Sequence, residues 1–438
     1  MAEFPFFWLQ WNLFSAMPRI TRSFGLCLAS LVITSCLNEP ALAQQTYTWQ
    51  QLRDKFITAN PTIRAGQDTI DESRATELTA FLRPNPEFTA TIDQLDPFST
   101  NPYRPLTWAL PLFSGSYLHE RQHKRELRLD SAKKGTAIAA SQQDDLVRTM
   151  LFTLRNAFVT ALQAKAVLDV AKENLAYYDK VLVVSQDRLK AGDIAQVDMS
   201  RLDLQRIQYQ TDVQTATVNV RTAKIQLLAL LNDRTPVEQF EISGPFDFVD
   251  STLTLDEFRR AALDARPDLR AAVQAVEKAK TDHQLAIANG STDPTFSVDA
   301  GRNPPIPAYF GVSVSIPLRI FDRNQGEKAR TEIDIRRTQR LQEAATAQVY
   351  SDVDSAYATL DGSLALLRPY KAKYLEEARQ VRDTITFAYQ HGGASLLDFL
   401  NAENDYRSIR LNYLNLVGSY LTAANQLNLA VGREVISQ

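Results

Sequence analysis

Hydrophobic and polar positions alternate without a fault along Phe310–Leu318. Phe310, Val312, Val314, Ile316 and Leu318 take one phase, and Gly311, Ser313, Ser315 and Pro317 the other. Strict period two predicts a strand with one apolar and one polar face. Asp322, Asn324 and Gly326 then supply turn and cap chemistry, and a long charged helical pattern follows. A short two-faced strand feeding a very long helix is an uncommon unit for a globular enzyme.

The unit occurs twice. Thr48–Arg53 and Ala59–Ala65 align with Thr254–Arg259 and Ala265–Ala271 at an offset of 206, and Pro111-Leu112 meets Pro317-Leu318 at the same offset. Gly192, Asp198 and Gln226-Leu227 meet Gly392, Asp398 and Gln426-Leu427 at an offset of 200, so the second half is expected to have lost six residues in its long helix. Each half reads helix, strand, strand, very long helix, long helix. The first repeat covers 44–232 with strands about 86–93 and 105–113, a linker covers 233–253, and the second repeat covers 254–438 with strands about 294–301 and 308–318. In the first repeat a helix is expected from Trp49 to Leu82. A strand with Phe88, Ala90 and Ile92 on its apolar side follows, then a return strand with Leu106, Trp108, Leu110 and Leu112 in one phase.

From Tyr117 to Lys190 there is no proline and only Gly135, which predicts a helix on the order of 100 Å long. Such helices require a coiled-coil-like bundle. Tyr406, Tyr413, Val417, Tyr420, Ala424, Leu427 and Val431 supply its seam at steps of four and three, interrupted by Arg410. Pro369 is expected to kink or break the second long helix. The fold class is therefore mainly α with a small β part.

Composition narrows the function. With 48 basic and 51 acidic residues the net charge is −3, which carries no nucleic-acid footprint. Arg19 and Arg22 precede an apolar run, Phe24–Leu37, and an A-x-A site at 41–43, the pattern of a secretory signal peptide over 1–43. A second reading makes Ile33-Thr34-Ser35-Cys36 a lipoprotein box with Cys36 acylated, and Met17 is an alternative start. Both cysteines lie in this segment, so no disulfide is expected beyond it.

Four strands do not close a barrel, since the smallest membrane barrels have about eight. An unpaired two-faced sheet is unstable in lipid. The strands have the length a tilted transmembrane strand needs, so several copies are expected to share one barrel, and a wet Gly/Ser/Thr/Asp face favours three or more. The plainer alternative is a soluble helical bundle or periplasmic coiled-coil scaffold with two hairpins at its end.

The layout resembles the TolC-like outer-membrane efflux channels. Ser315-Ile-Pro-Leu-Arg-Ile-Phe-Asp-Arg-Asn-Gln-Gly-Glu327 and Gly392-Gly-Ala-Ser-Leu-Leu-Asp-Phe-Leu-Asn-Ala-Glu403 resemble the signatures of the CzcC-like heavy-metal branch. The resemblance implies a homotrimer: a twelve-stranded outer-membrane β-barrel, four strands per chain, continued by an α-helical periplasmic barrel, with 233–253 at its equator. It implies a periplasmic adaptor (membrane fusion protein) and an inner-membrane RND-type pump as partners, no cofactor and no catalysis. The cargo would be divalent metal cations, or alternatively drugs or polypeptides. In the strand Phe310–Leu318, the phase of Phe310, Val312, Val314, Ile316 and Leu318 would face lipid, and Gly311, Ser313 and Ser315 the lumen.

The turns at Gly192 and Gly392 would form the periplasmic tip. Asp398 matches the family's gating aspartate, while its second acidic position is Asn401 here. The plainer reading makes Gly192 and Gly392 helix C-caps, and Asp198 and Asp398 exposed helix polars. His119-Glu120-Arg121-Gln122-His123 is a formal H-E-x-x-H match that would put two His on one helix face. It lacks a third ligand at a usual spacing and a dry pocket, so at most a surface metal site is expected. Tyr103, Trp108, Tyr309 and Phe310 are candidates for aromatic girdles.

Overall fold

The computed structural model describes residues 45–98, 102–249 and 254–436, so the targeting segment and Cys36 lie outside the described residues. The chain from Thr46 onward is one compact unit. Strand β1 (Gln45–Tyr47) precedes helices α1 (Trp49–Ala59) and α2 (Pro61–Phe81). The single helix expected over 49–82 is broken at Asn60, because Pro61 disfavours helical backbone at the residue before it. Asn60 turns that break into a cap: its side-chain carbonyl accepts from Thr62 N–H (2.9 Å) and Ile63 N–H (3.3 Å).

The antiparallel pair β2 (Glu87–Asp93) and β3 (Leu110–Leu118) leads into α3 (Lys124–Ala191) and α4 (Gln196–Leu230). Linker strand β4 (Phe240–Ile242) pairs with β1, and its buried Phe240 and Ile242 join Leu52, Phe56 and Leu154 in one core. The linker is thus packed against α1, α3 and α4 through these two side chains. The second half repeats the series as α5 (Leu255–Ala265), α6 (Pro267–Asn289), β5 (Thr295–Asn303), β6 (Ile306–Ser315), α7 (Gln325–Pro369), α8 (Leu375–Gln390) and α9 (Leu396–Val431). Pro369 lacks an N–H to continue the ladder, and α7 gives way there to a π-turn, Tyr370–Tyr374, before α8.

Helix α3 is 68 residues long, about 100 Å. Its start at His123 (φ 56°) and that of α7 at Asn324 (φ 60°) share left-handed backbone, as do the ends at Gly192 (φ 83°) and Gly392 (φ 77°). The two long runs therefore match in length to within a residue, and the other five residues of the difference lie elsewhere. They accumulate in the connections, since β2 and β3 are joined by 94–109 but β5 and β6 only by 304–305. Nor are Pro111 and Pro317 equivalent: Pro111 opens β3, whereas Pro317 follows the end of β6.

The four long strands form one antiparallel sheet in the order β2-β3-β5-β6, leaving one edge of β2 and one of β6 without a partner among the described residues. Its register sorts the side chains by face. Phe88, Ala90 and Ile92 align with Gly115, Phe113 and Pro111, and Phe113, Gly115 and Tyr117 with Ala300, Val298 and Phe296. Those in turn pair with Phe310, Val312 and Val314. One face is thus apolar across all four strands, and it is exposed, with Phe310 85% and Val312 86% accessible. The other carries Thr89, Thr91, Ser114, Ser116, Ser297, Asp299, Gly311, Ser313 and Ser315.

Three strand expectations are corrected. The return strand runs 110–118, not 105–113, because 104–109 is a run of turns held by Thr107 N–H to Arg104 O (3.1 Å) and Ala109 N–H to Leu106 O (3.2 Å). Its apolar phase is Phe113, Gly115 and Tyr117, and Leu110 and Leu112 fall on the polar side. Ile316 and Leu318 lie past the end of β6, exposed but no longer paired. Tyr309 lies on the polar face, its ring over Gly301, so it does not share a girdle with Phe310.

Candidate functional site

Two regions carry functional promise, the sheet and the helical turns at the far ends of α3 and α8. At the first turn, Gly192 N–H donates to Leu189 O (3.0 Å) and Asp193 N–H to Arg188 O (2.9 Å). That double closure needs the left-handed backbone glycine adopts freely. At the second, Gly393 N–H donates to Ala388 O at 2.7 Å. Ser395 and Asp398 then form a reciprocal capping box at the start of α9. Ser395 Oγ donates to Asp398 Oδ2 (2.6 Å), and Asp398 N–H donates to Ser395 Oγ (3.2 Å). The hydrogen bonds from Ser395, side chain then backbone, hold the Asp398 carboxyl below its usual range.

Asp398 and Asn401 are exposed while Phe399 between them and Ala402 after them are buried, so α9 turns its polar side outward. Asp198 occupies the matching position on α4 and is half-buried. Its N-cap is Ala195, which offers no side-chain oxygen, so the capping box exists only in the second half.

Several residues at this end were missed from the sequence. Tyr178, Tyr209, Tyr389 and Phe399 make an aromatic cluster, with ring centroids of 4.6 Å for Tyr178–Tyr209 and 5.0 Å for Tyr389–Phe399. The Arg188 guanidinium donates to Tyr389 O (2.5 Å), tying the α3 end to the α8 end. Deeper in, Glu403 is 5% exposed and its Oε1 has no hydrogen-bond partner among the described residues. Burial pushes its carboxyl up to about 7, against the pull of Arg382. Arg382 lies between Tyr177 and Tyr406, with its guanidinium 4.4 and 4.0 Å from their ring centres. The signal was there: extending the seam of α9 backward from Tyr406 puts position 403 in the core phase.

The H-E-x-x-H segment is not helical. His119 to Gln122 precede α3, and His123 is its left-handed N-cap, so the two His do not share a helix face. Glu120 is paired with Arg128, and among the described residues no three His, Cys, Asp or Glu gather to hold a metal. Nor is any described helix long and apolar enough to cross a membrane. A continuous exposed apolar face lies instead on the sheet.

Residues 259–433 match the family described as Outer membrane efflux protein. The chain is 24% identical over 387 residues to the cobalt-zinc-cadmium resistance protein CzcC of Cupriavidus metallidurans, covering 86% of this chain and 87% of that protein. Its fold matches the solved structure of CusC (TM-score 0.72, 16% identity, 88% and 92% of the two chains). It also matches the open outer membrane channel MtrE of Neisseria gonorrhoeae (TM-score 0.71, 17% identity, 88% and 89%). The chain thus resembles the outer membrane efflux proteins over residues 259–433 in sequence, and shares its fold with solved outer-membrane channels over most of its length.

Proposed function

We propose that three copies of this chain form the exit duct of a tripartite efflux pump, with divalent metal cations as cargo. The observation that carries the reading is the sheet: one apolar face running unbroken across four strands, with two open edges. A polypeptide edge in lipid must be paired, and three four-stranded sheets edge to edge give twelve strands with none left over. The apolar face then meets lipid, and the Ser, Thr, Gly and Asp face lines water. Residues 44–232 and 254–438 act as two repeats around the linker 233–253, and the helices continue the barrel into the periplasm toward an adaptor and an RND-type inner-membrane pump. Lipidation at Cys36 is an optional second anchor.

The metal assignment rests on the likeness to CzcC, whose name records cobalt, zinc and cadmium resistance. With only four His and four Met in the chain, no ladder of soft ligands is built along it. Metal choice then belongs to the pump and adaptor, and the duct contributes a cation-tolerant path. The test is a deletion strain. Loss of the gene should raise sensitivity to cobalt, zinc or cadmium, and outer-membrane fractions should hold a heat-modifiable trimer. Unchanged metal tolerance with raised drug sensitivity would reassign the cargo, and absence from the outer membrane would end the channel reading.

A further inference from the structure

Where the sheet gives way to the helices, the chain carries basic side chains that the conduction path does not use. His119 N–H donates to the Pro294 carbonyl at 2.9 Å, carrying the β3–β5 ladder one residue past its end. His119 therefore follows Phe113, Gly115 and Tyr117 in phase, on the apolar side of the sheet. A cleft of about 450 Å³ opens there, lined among others by Arg83, Tyr117, His119, Arg121, His123 and Arg125. The Arg125 guanidinium lies 4.4 Å over the Phe81 ring, and Leu78 and Leu82 near the same end of α2 are exposed.

The carboxylates of this junction are already engaged. Glu120 is paired with Arg128, Glu126 with Arg125 (3.0 Å), and Asp293 with Lys124 (2.6 Å). The guanidinium groups of Arg83 and Arg121 have no hydrogen bond or ion pair among the described residues. The second half repeats the arrangement: Leu318 and Phe321 are 80% and 90% exposed, and the Arg323 guanidinium beside them is likewise unpaired. On descending from the sheet, its exposed aliphatic and aromatic side chains thus give way directly to the unpaired arginines of the connections, and the Phe81 ring under Arg125 lies beyond them on α2 and α3. The first step is the one a bilayer presents on passing from acyl chains to phosphates.

We infer that this junction is a headgroup-binding belt for the anionic glycerophospholipids of the membrane's periplasmic leaflet, with Arg83, Arg121 and Arg125 as the phosphate ligands of the first-half cleft. The inference rests on the barrel reading, which places the sheet in the bilayer. Guanidinium forks match phosphate oxygens two at a time, and the exposed apolar face of the sheet, Phe113 and Phe296 among it, gives the acyl chains a surface. Metal binding does not compete for the cleft, since Glu120 is committed to Arg128 and no third ligand is near.

Full-length protein in detergent, titrated with phosphatidylglycerol or phosphatidylcholine and read by native mass spectrometry, tests this. Wild type should prefer the anionic lipid by about tenfold or more. R83Q/R121Q/R125Q should lose that preference while its single-channel conductance stays unchanged, and R83K/R121K/R125K, which keeps the charge, should retain most of it. Equal affinity of wild type for both lipids overturns the inference, as does a glutamine variant that folds, conducts and still prefers phosphatidylglycerol. Complete displacement of the lipid by millimolar inorganic phosphate would make this a free-anion site instead. A wild type that neither reaches the outer membrane nor conducts would overturn the channel reading itself, a failure distinct from loss of lipid preference alone.

Discussion

Glu403 shows how one residue links packing to solution conditions. Its carboxyl is enclosed by Tyr177 and Tyr178 of α3, Tyr209 of α4 and Arg382 and Asp383 of α8, with Tyr406 and Arg407 nearby on its own helix. Burial favours the neutral acid, so its ionisation moves from the ordinary carboxylate range up to about 7. The sign follows. Between about pH 4.5 and 7 the folded chain binds more protons than the unfolded one, so stability falls as pH rises through that window. Glu403→Gln mimics the neutral acid. It should leave the melting temperature unchanged at pH 5 and raise it at pH 8, by a stabilisation on the order of 2–3 kcal/mol. An equal effect at both pH values in thermal melts would mean that Glu403 is already ionised and solvated.

At the scale of elements, the sheet register makes a paired prediction in each half. A lysine at the lipid-facing midplane of a barrel costs about 2–4 kcal/mol, whereas one on a wet face costs little. Val314→Lys should therefore block membrane assembly while Ser313→Lys assembles. In β3, Phe113→Lys should block it and Leu112→Lys should not, both read from the heat-modifiable trimer in outer-membrane fractions. Assembly of all four variants would sink the barrel. The β6 phase was legible in the sequence because five apolar residues alternate without interruption. The β3 phase was not. Leu106 and Trp108 keep the same period through a turn, and Gly115 leaves a gap in the true apolar phase, so the alternation appeared to belong to the residues before the strand. The helical tips were legible from Gly192 and Gly392, since a left-handed C-cap has a strong residue preference. The aromatic cluster was not, because it comes together from four helices whose pairing no local pattern states, and for Glu403 the α9 seam gave the core position but not the partners on α3, α4 and α8.

For the whole molecule, the proposed conduction would be a property of the assembly, since one chain has an open sheet and a single Asp398. Around a threefold axis the exposed sides of three α9 helices would bring three such carboxylates toward one constriction, each held by its capping box with Ser395. A ring of fixed carboxylates attracts cations and repels anions. With Asn401 uncharged, Asp398 would supply that charge alone. A cation about 4 Å from one carboxylate gains about 1 kcal/mol in water-like surroundings, a factor of about five in local concentration. Asp398→Ala should therefore lower the cation-to-anion permeability ratio in planar bilayers by about fivefold. The same change removes a capping partner, so a control must separate charge from helix stability. Ser395→Ala breaks the cap at a cost of about 1 kcal/mol but keeps the carboxylate, and its selectivity should match wild type. If Ser395→Ala loses selectivity as fully as Asp398→Ala, the aspartate serves the fold of the tip. If Asp398→Ala alone loses it, the charge itself guards the duct.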